Sequence, residues 1–314
     1  MDRIKKTVDV IIPTYKPDRK FLKLIESLSH QTVPVSRILV MNTEEKYFDR
    51  LTYGTNFLEK YRNVEVYHLS QREFDHGRTR NEGAKRSDAD VFVCMTQDAI
   101  PKDDRLIEAL LDGLSKEDTA VAYARQLPEA DCNPAERFTR EFNYPETPLR
   151  KGKEDTPRLG IKTYFCSNVC AAYDKKIFTE LGGFVRRTIF NEDMIYAAGA
   201  VRAGWMIAYV PGAEVIHSHN YTAAEQFHRN FDLGVSQADH PEIFEGISSE
   251  SEGIRMVKQT VRYLLEHKAA SRIPQLFFQS AMKYAGYRMG RKYRLLPRKL
   301  VVKCSMNKYY WERM

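Results

Sequence analysis

Asp98 closes the apolar run Val91-Phe92-Val93-Cys94-Met95, separated from it only by Thr96 and Gln97. A carboxylate in that position offers a hard oxygen ligand to a divalent cation, or it caps the turn leading to Pro101. Farther along, Asn191-Glu192-Asp193 sets two carboxylates at the start of a helical pattern. There Asn191 can cap the helix, and both acids suit its dipole. His217-Ser218-His219 follows another apolar stretch. On an extended segment the two imidazoles share a face but sit two residues apart along it, so one of them reaches a given point. Arg78, Arg80 and Asn81 open a further helical stretch after Asp75-His76-Gly77. Guanidinium groups and a helix dipole at such an opening favour phosphate; the alternative is a solvated cationic face.

These groups need a scaffold, and the apolar patterning supplies one. Val8 to Ile12, Ile38 to Met41, Val64 to Tyr67, Val91 to Met95 and Ala120 to Tyr123 read as short strands. Helical spacing recurs between them, at Phe21, Leu24, Ile25 and Leu28 after Pro17-Asp18, and again from Leu106 to Leu114. Strand-helix alternation of this kind predicts a mostly parallel sheet covered on both faces, with ligands at the carboxyl ends of its strands. The segment from Arg125 to Lys162, with five prolines, reads as a long functional loop. A strand at Asn168 to Tyr173, a helix from Asp174 closed by Gly182-Gly183, a helix at Glu192 to Ala203 and a strand at Trp205 to Val210 follow. Two amphipathic helices, around Ile254 to Leu265 and from Gln275 to Lys292, end the chain.

No G-x-G-x-x-G follows the first strand, and no G-x-x-x-x-G-K-[ST] occurs anywhere. A nucleotide-binding sheet without such a cradle needs another way to neutralise a diphosphate. A divalent metal held by carboxylate, with imidazole or basic residues assisting, supplies it. Pro13-Thr14-Tyr15, Thr96-Gln97-Asp98 and Asn191-Glu192-Asp193, in this order, resemble the family 2 glycosyltransferases over roughly Val8 to Asn220. Phe74 to Asn81 together with Thr96 to Pro101 resembles the bacterial rhamnosyltransferase branch, which builds surface polysaccharides.

The resemblance implies an α/β fold of the GT-A nucleotide-diphospho-sugar transferase type and an inverting transfer. It makes Asp193 the catalytic base, a role worth about 10²–10⁴-fold. The family's Asp-x-Asp reads Thr96-Gln97-Asp98 here, so Asp98 is the one acidic ligand for Mg²⁺ or Mn²⁺, with His219 favoured over His217 as its imidazole partner. Pro13, Thr14, Tyr15, Asn42, Thr43 and Glu44 fall where the base and ribose of the donor are held; Arg78, Arg80, Asn81, Thr96 and Gln97 complete the donor set. Ser167, Asn168, Glu192 and Trp205 are the acceptor candidates, Trp205 being equally suited to a core. The implied donor is dTDP-rhamnose and the implied acceptor a lipid-linked saccharide. A non-catalytic sugar- or lipid-binding relative would explain Thr96. A sugar nucleotidyltransferase would need a Gly-rich basic loop where Pro13-Thr14-Tyr15 stands.

The charge is uneven. Net +7 overall, the chain carries eleven Lys or Arg and no Asp or Glu between His267 and Trp311, which leaves the remainder mildly acidic. That distribution argues against a nucleic-acid-binding surface. Gly286 to Leu296, mixing cations with aromatic and aliphatic residues, reads as a segment for an anionic membrane surface, or for packing against the acidic body. The expected organisation is a GT-A domain over 1–235 and a helical extension over 236–314. No membrane-spanning run or signal peptide is evident, and the five cysteines suit a reducing compartment, so the expected location is cytoplasmic, peripheral at the inner face of the membrane. An oligomer is compatible with the sequence.

Overall fold

Apolar β-branched runs bounded by polar turns dictate the scaffold, and the computed structural model, which describes residues 6–245 and 250–312, resolves them into one sheet. Among these residues its strands are β1 (Val8–Tyr15), β2 (Arg37–Thr43), β3 (Val64–Leu69), β4 (Val91–Met95), β5 (Ile100–Pro101), β6 (Thr119–Leu127), β7 (Leu149–Lys151), β8 (Cys170–Asp174) and β9 (Met206–Ile216). The order across the sheet is β3-β2-β1-β4-β8-β6-β9-β5, with β7 paired to β9. β3, β2, β1 and β4 are parallel, and β8 lies antiparallel between β4 and β6. Two reversals restore direction, so β6 and its parallel neighbour β9 point the same way as β1 and β4. The carboxyl ends of β1, β2, β4, β6 and β9 therefore meet at one edge, and the residues just before β8 arrive there too.

The helices that position this edge are α1 (Arg19–Ser29), α2 (His76–Arg86), α3 (Leu106–Gly113), α4 (Pro134–Asn143), α5 (Glu192–Arg202), α6 (Ala223–Asp239), α7 (Glu250–Glu266), α8 (Ile273–Arg291) and α9 (Arg298–Cys304). Asp18 starts α1 by accepting from the Lys20 backbone N–H at 2.8 Å. Successive strand residues face opposite sides. Val8, Val10 and Ile12 thus join Phe21, Leu24 and Ile25 of α1 and Leu106, Ile107 and Leu110 of α3. Ile11 faces the other way, with Phe92, Tyr173, Phe178, Phe184 and Tyr196. Full burial of each such side chain stabilises by about 1.5–3 kcal/mol, and the two layers clamp the sheet from both faces.

The expected loop from Arg125 to Lys162 is instead largely ordered. β6 runs on to Leu127, Pro134 occupies the first turn of α4 behind the Asn133 cap, and β7 pairs with β9. Proline is tolerated where an N–H would be unpaired anyway, so its presence did not break the chain there. All five cysteines are buried and free.

α6 runs through residue 235, where the division into two domains was expected, and packs along α8 backbone to backbone. A Cβ at Gly286 or Gly290 would meet the carbonyl oxygens of Phe227 and Phe231. Ile189, Phe231, Val235, Val301, Cys304 and Trp311 form a separate small core that fastens these helices to the body.

Candidate active site at the carboxyl edge of the sheet

Asp98 leaves β4 in a turn closed by Ala99 N–H donating to the Thr96 carbonyl at 3.2 Å. His217 Nε2 lies 3.6 Å from Asp98 Oδ1, and His219 Nε2 lies 3.5 Å from Asp98 Oδ2. Both imidazoles reach the same point because β9 ends at Ile216, so residues 217–219 have left the pleat whose alternation would separate them. The contacts are longer than hydrogen bonds, and the donor atoms lie within 4.8 Å of one another. His217 Nδ1 sits 3.1 Å from Gln126 Oε1, an oxygen that also accepts from Arg140 at 2.6 Å. Nδ1 must therefore carry the proton, which turns the Nε2 lone pair toward Asp98. Burial, reinforced by His219, holds the His217 ring well below its usual protonation range. Burial lowers His219 as well, against the pull of Asp98. Two neutral imidazoles and a carboxylate form a donor set for a divalent cation, and its nitrogens suit Mn²⁺ better than oxygen-preferring Mg²⁺. Thr96 contributes no ligand atom, and its buried Oγ1 has no partner among the described residues.

Asp193, at the opening of α5, is held rigidly. One carboxylate oxygen accepts from the Asn168 backbone N–H at 2.9 Å, the other from the Met194 N–H at 2.8 Å. Burial, followed by the adjacent Glu192 charge, raises its carboxyl to about 7 despite these bonds. Burial also acts to raise Glu192, but Arg80 and His76 outweigh it and hold that carboxyl below the usual range. Arg80 Nη1 reaches Glu192 at 3.1 Å, and both side chains are buried. Asn168 joins the pair: its amide donates to Glu192 Oε1 at 3.0 Å and its oxygen accepts from Tyr173 at 2.7 Å. The arrangement can hold a half-buried carboxylate ready to take a proton near neutral pH.

Residues 9–182 match the model of glycosyl transferase family 2. The chain belongs to that family. It is 37% identical to the O-antigen chain rhamnosyltransferase RfbN of Salmonella typhimurium over 98% of this chain and 96% of the relative. It is 36% identical to the O-antigen chain rhamnosyltransferase WbaN of Salmonella anatum over 97% and 96%. Among solved structures it resembles the mannosyltransferase PcManGT of Pyrobaculum calidifontis in complex with GDP-Man and Mn²⁺, with a TM-score of 0.56, 13% identity and coverage of 98% and 85%. It also resembles residues 1–349 of TarS of S. aureus in complex with UDP-GlcNAc, with a TM-score of 0.51, 17% identity and coverage of 92% of both chains. These two likenesses establish the GT-A-type fold.

In this glycosyltransferase the remaining candidates divide. Thr14 donates to Asn42 Oδ1 at 2.9 Å, and Asn42 meets His68 Nδ1 at 2.9 Å, so the ends of β1, β2 and β3 are tied together. Gln97 exchanges two hydrogen bonds with the Tyr15 backbone, at 2.8 and 3.1 Å, which locks Pro13-Thr14-Tyr15 against the turn before Asp98. Glu44 accepts from the Gln71 N–H at 2.7 Å, and Thr43 is buried at the end of β2. Tyr15 remains exposed beside Tyr47, ring centroids 5.6 Å apart. Ser167 accepts from Gln126 at 3.0 Å. Arg80 and Glu192, expected at donor and acceptor, are paired with each other. Asn81 brackets Phe184, donating to its carbonyl at 2.8 Å and accepting from its N–H at 2.9 Å, while Arg78 donates to the Glu73 carbonyl. Trp205 precedes β9, at the opposite end of the strand from His217, and packs on the core. Gln126 was missed, because the strand that carries it reads from sequence as ending at Tyr123.

Proposed function

We propose that this family 2 glycosyltransferase transfers rhamnose from dTDP-rhamnose, with inversion, onto a lipid-linked glycan in surface-polysaccharide synthesis. The observation that carries the catalytic part is Asp193: a carboxylate fixed by two backbone N–H groups, raised to about 7, at the sheet edge that also bears Asp98, His217 and His219. The acceptor hydroxyl oxygen forms a bond to the anomeric carbon as the bond to the diphosphate breaks. Its proton goes to Asp193, and the electron pair of the broken bond leaves on the nucleoside diphosphate. Asp98, His217 and His219 would hold Mn²⁺ or Mg²⁺, which when bound neutralises charge on the diphosphate. Thr14, Asn42 and Gln97 shape the nucleoside end, and the exposed Tyr15 ring offers a face to the base. The sugar and the glycan acceptor rest on the names of the full-length relatives.

No helix among the described residues is long and apolar enough to cross a membrane. For a peripheral association at the inner face of the membrane, Phe277, Phe278 and Tyr284 of α8 and Leu295 beyond it are exposed, with Arg288 and Lys292 nearby. Within the stretch expected to lie on lipid, Gly286 and Gly290 are buried against α6, while Arg288, Lys292, Arg294 and Leu295 are exposed. The exposed aromatics are the lipid-facing part of this proposal.

The test is release of nucleoside diphosphate by the purified chain from a panel of nucleotide sugars, with Mn²⁺ or Mg²⁺ and then with chelator. The expected result is turnover of dTDP-rhamnose, lost with chelator and restored by Mn²⁺. Turnover of another donor alone would overturn the sugar assignment, and no nucleotide binding at all would overturn the transfer itself.

A further inference from the structure

Two cations of the C-terminal helices stand beside the active edge without a carboxylate partner among the described residues. Arg229, on α6, stacks its guanidinium on Phe190 at 4.5 Å and lies 5.8 Å from the Tyr221 ring centroid. Phe190 precedes Asn191-Glu192-Asp193, and Tyr221 packs against the His219 ring at 4.9 Å. Arg229 thus spans the interval between the Asp98-His217-His219 cluster and the start of α5. Stacking fixes the plane of the guanidinium and leaves its N–H fork free, the geometry that suits a phosphate. Lys283, on α8, lines a polar cavity between α4, α6, α7 and α8, whose wall also includes His219, Tyr221 and Gln226. The carboxylate facing it is Glu136, which Arg140 already binds at 2.6 Å. Burial pushes the Lys283 ammonium below its usual range, against the pull of Glu136 and with Arg229 and Arg140 adding to the shift.

We infer that Arg229 and Lys283 are binding residues for a diphosphate group, so that the C-terminal helices complete the active site. The inference rests on the transferase reading above. Two substrates could present that group: the sugar nucleotide, or a polyprenyl-diphosphate-linked acceptor. The position of Arg229 beside Phe190 and Tyr221 brings its charge to the edge where a leaving nucleoside diphosphate gathers negative charge. That charge would be neutralised partly from outside the sheet, compensating for Thr96, which supplies no second carboxylate for a metal.

The experiment measures binding of thymidine diphosphate, and separately of a polyprenyl diphosphate in detergent, to the full chain and to Arg229→Gln, Lys283→Gln and Arg229→Lys, with Mn²⁺ present. Loss of one charge-assisted contact weakens binding by roughly 10- to 100-fold. The two glutamine variants should bind one of the two diphosphates that much more weakly, and Arg229→Lys should recover part of the loss. Whichever diphosphate is affected identifies its source. Near-UV circular dichroism unchanged from the parent excludes misfolding as the cause. Equal binding of both compounds by parent and variants overturns the inference and leaves the transferase reading standing. A parent that binds neither compound overturns both.

Discussion

Asp193→Asn separates chemistry from folding with a single change. The amide keeps one backbone hydrogen bond, because an oxygen can still face the Asn168 or the Met194 N–H. It loses the other, at a cost of about 1 kcal/mol. It also removes a carboxyl raised from 3.8 to about 7 by burial and by Glu192. A group displaced that far costs the folded state on the order of 4 kcal/mol once ionised. The sign follows from the direction of the shift: the native chain holds this proton more tightly than the unfolded chain, so the contribution is fully present below about pH 4 and lost as pH rises through 7. The variant should therefore be more stable than the parent above pH 7, by about 1–3 kcal/mol after the lost bond is deducted, and no more stable below pH 5. At roughly 2 °C per kcal/mol for a chain of this size, thermal melts at pH 5 and pH 8 resolve the difference. Turnover should fall about 10²–10⁴-fold with nucleoside-diphosphate binding retained. In the parent, turnover should rise with pH through about 7 as Asp193 ionises. A variant that keeps its activity places the base elsewhere, and a stability difference that does not change with pH refutes the burial argument.

Three further perturbations probe the surroundings. Asp98→Ala should weaken Mn²⁺ binding at least tenfold, read by calorimetry, while leaving the melting temperature within a few degrees, since Asp98 is part-exposed. Glu192→Gln should destabilise by about 3–5 kcal/mol in urea titrations by leaving Arg80 buried and unpaired, and it should move the Asp193-controlled limb of the pH–rate profile to lower pH. Phe277→Ser with Phe278→Ser should lower flotation with anionic vesicles and leave turnover of a water-soluble acceptor unchanged; undiminished flotation would refute lipid contact by α8.

What could be read from the sequence follows from locality. β1, β2 and β4 are runs of apolar β-branched residues ended by polar ones, so both their existence and their carboxyl ends were legible, and with them the positions of Thr14, Asn42 and Asp98. β6 was cut short because the prolines from Pro128 onward make the segment from Arg125 read as a loop. Arg125 instead continues the strand, with Glu214 of β9 3.2 Å away, a pairing no local pattern announces. Gln126 was lost with it, and so was the means by which His217 is oriented. Arg80 looked like a phosphate ligand for the same reason: its partner Glu192 lies on another helix. In the tail, the close approach of α8 to α6 at Gly286 and Gly290 was not read from the sequence, because the residues those glycines meet, Phe227 and Phe231, lie about sixty positions earlier.

The adjacent acids Glu192 and Asp193 show why residue type alone could not assign roles. They stand side by side at one helix opening behind Asn191, and both suit its dipole. Arg80 fixes Glu192 as a permanent anion, and that anion, together with burial, drives the Asp193 carboxyl up toward neutrality. Environments that push neighbouring carboxyls in opposite directions divide the labour between them. Asp98, part-exposed between two neutral imidazoles, remains the carboxylate free to meet a cation. On the role proposed for Asp193, Arg80 and Glu192 would act through it as positioning residues. Without the Arg80 guanidinium the two acids would compete for one proton, while the Asn168 and Met194 N–H groups would still hold the Asp193 carboxylate in place.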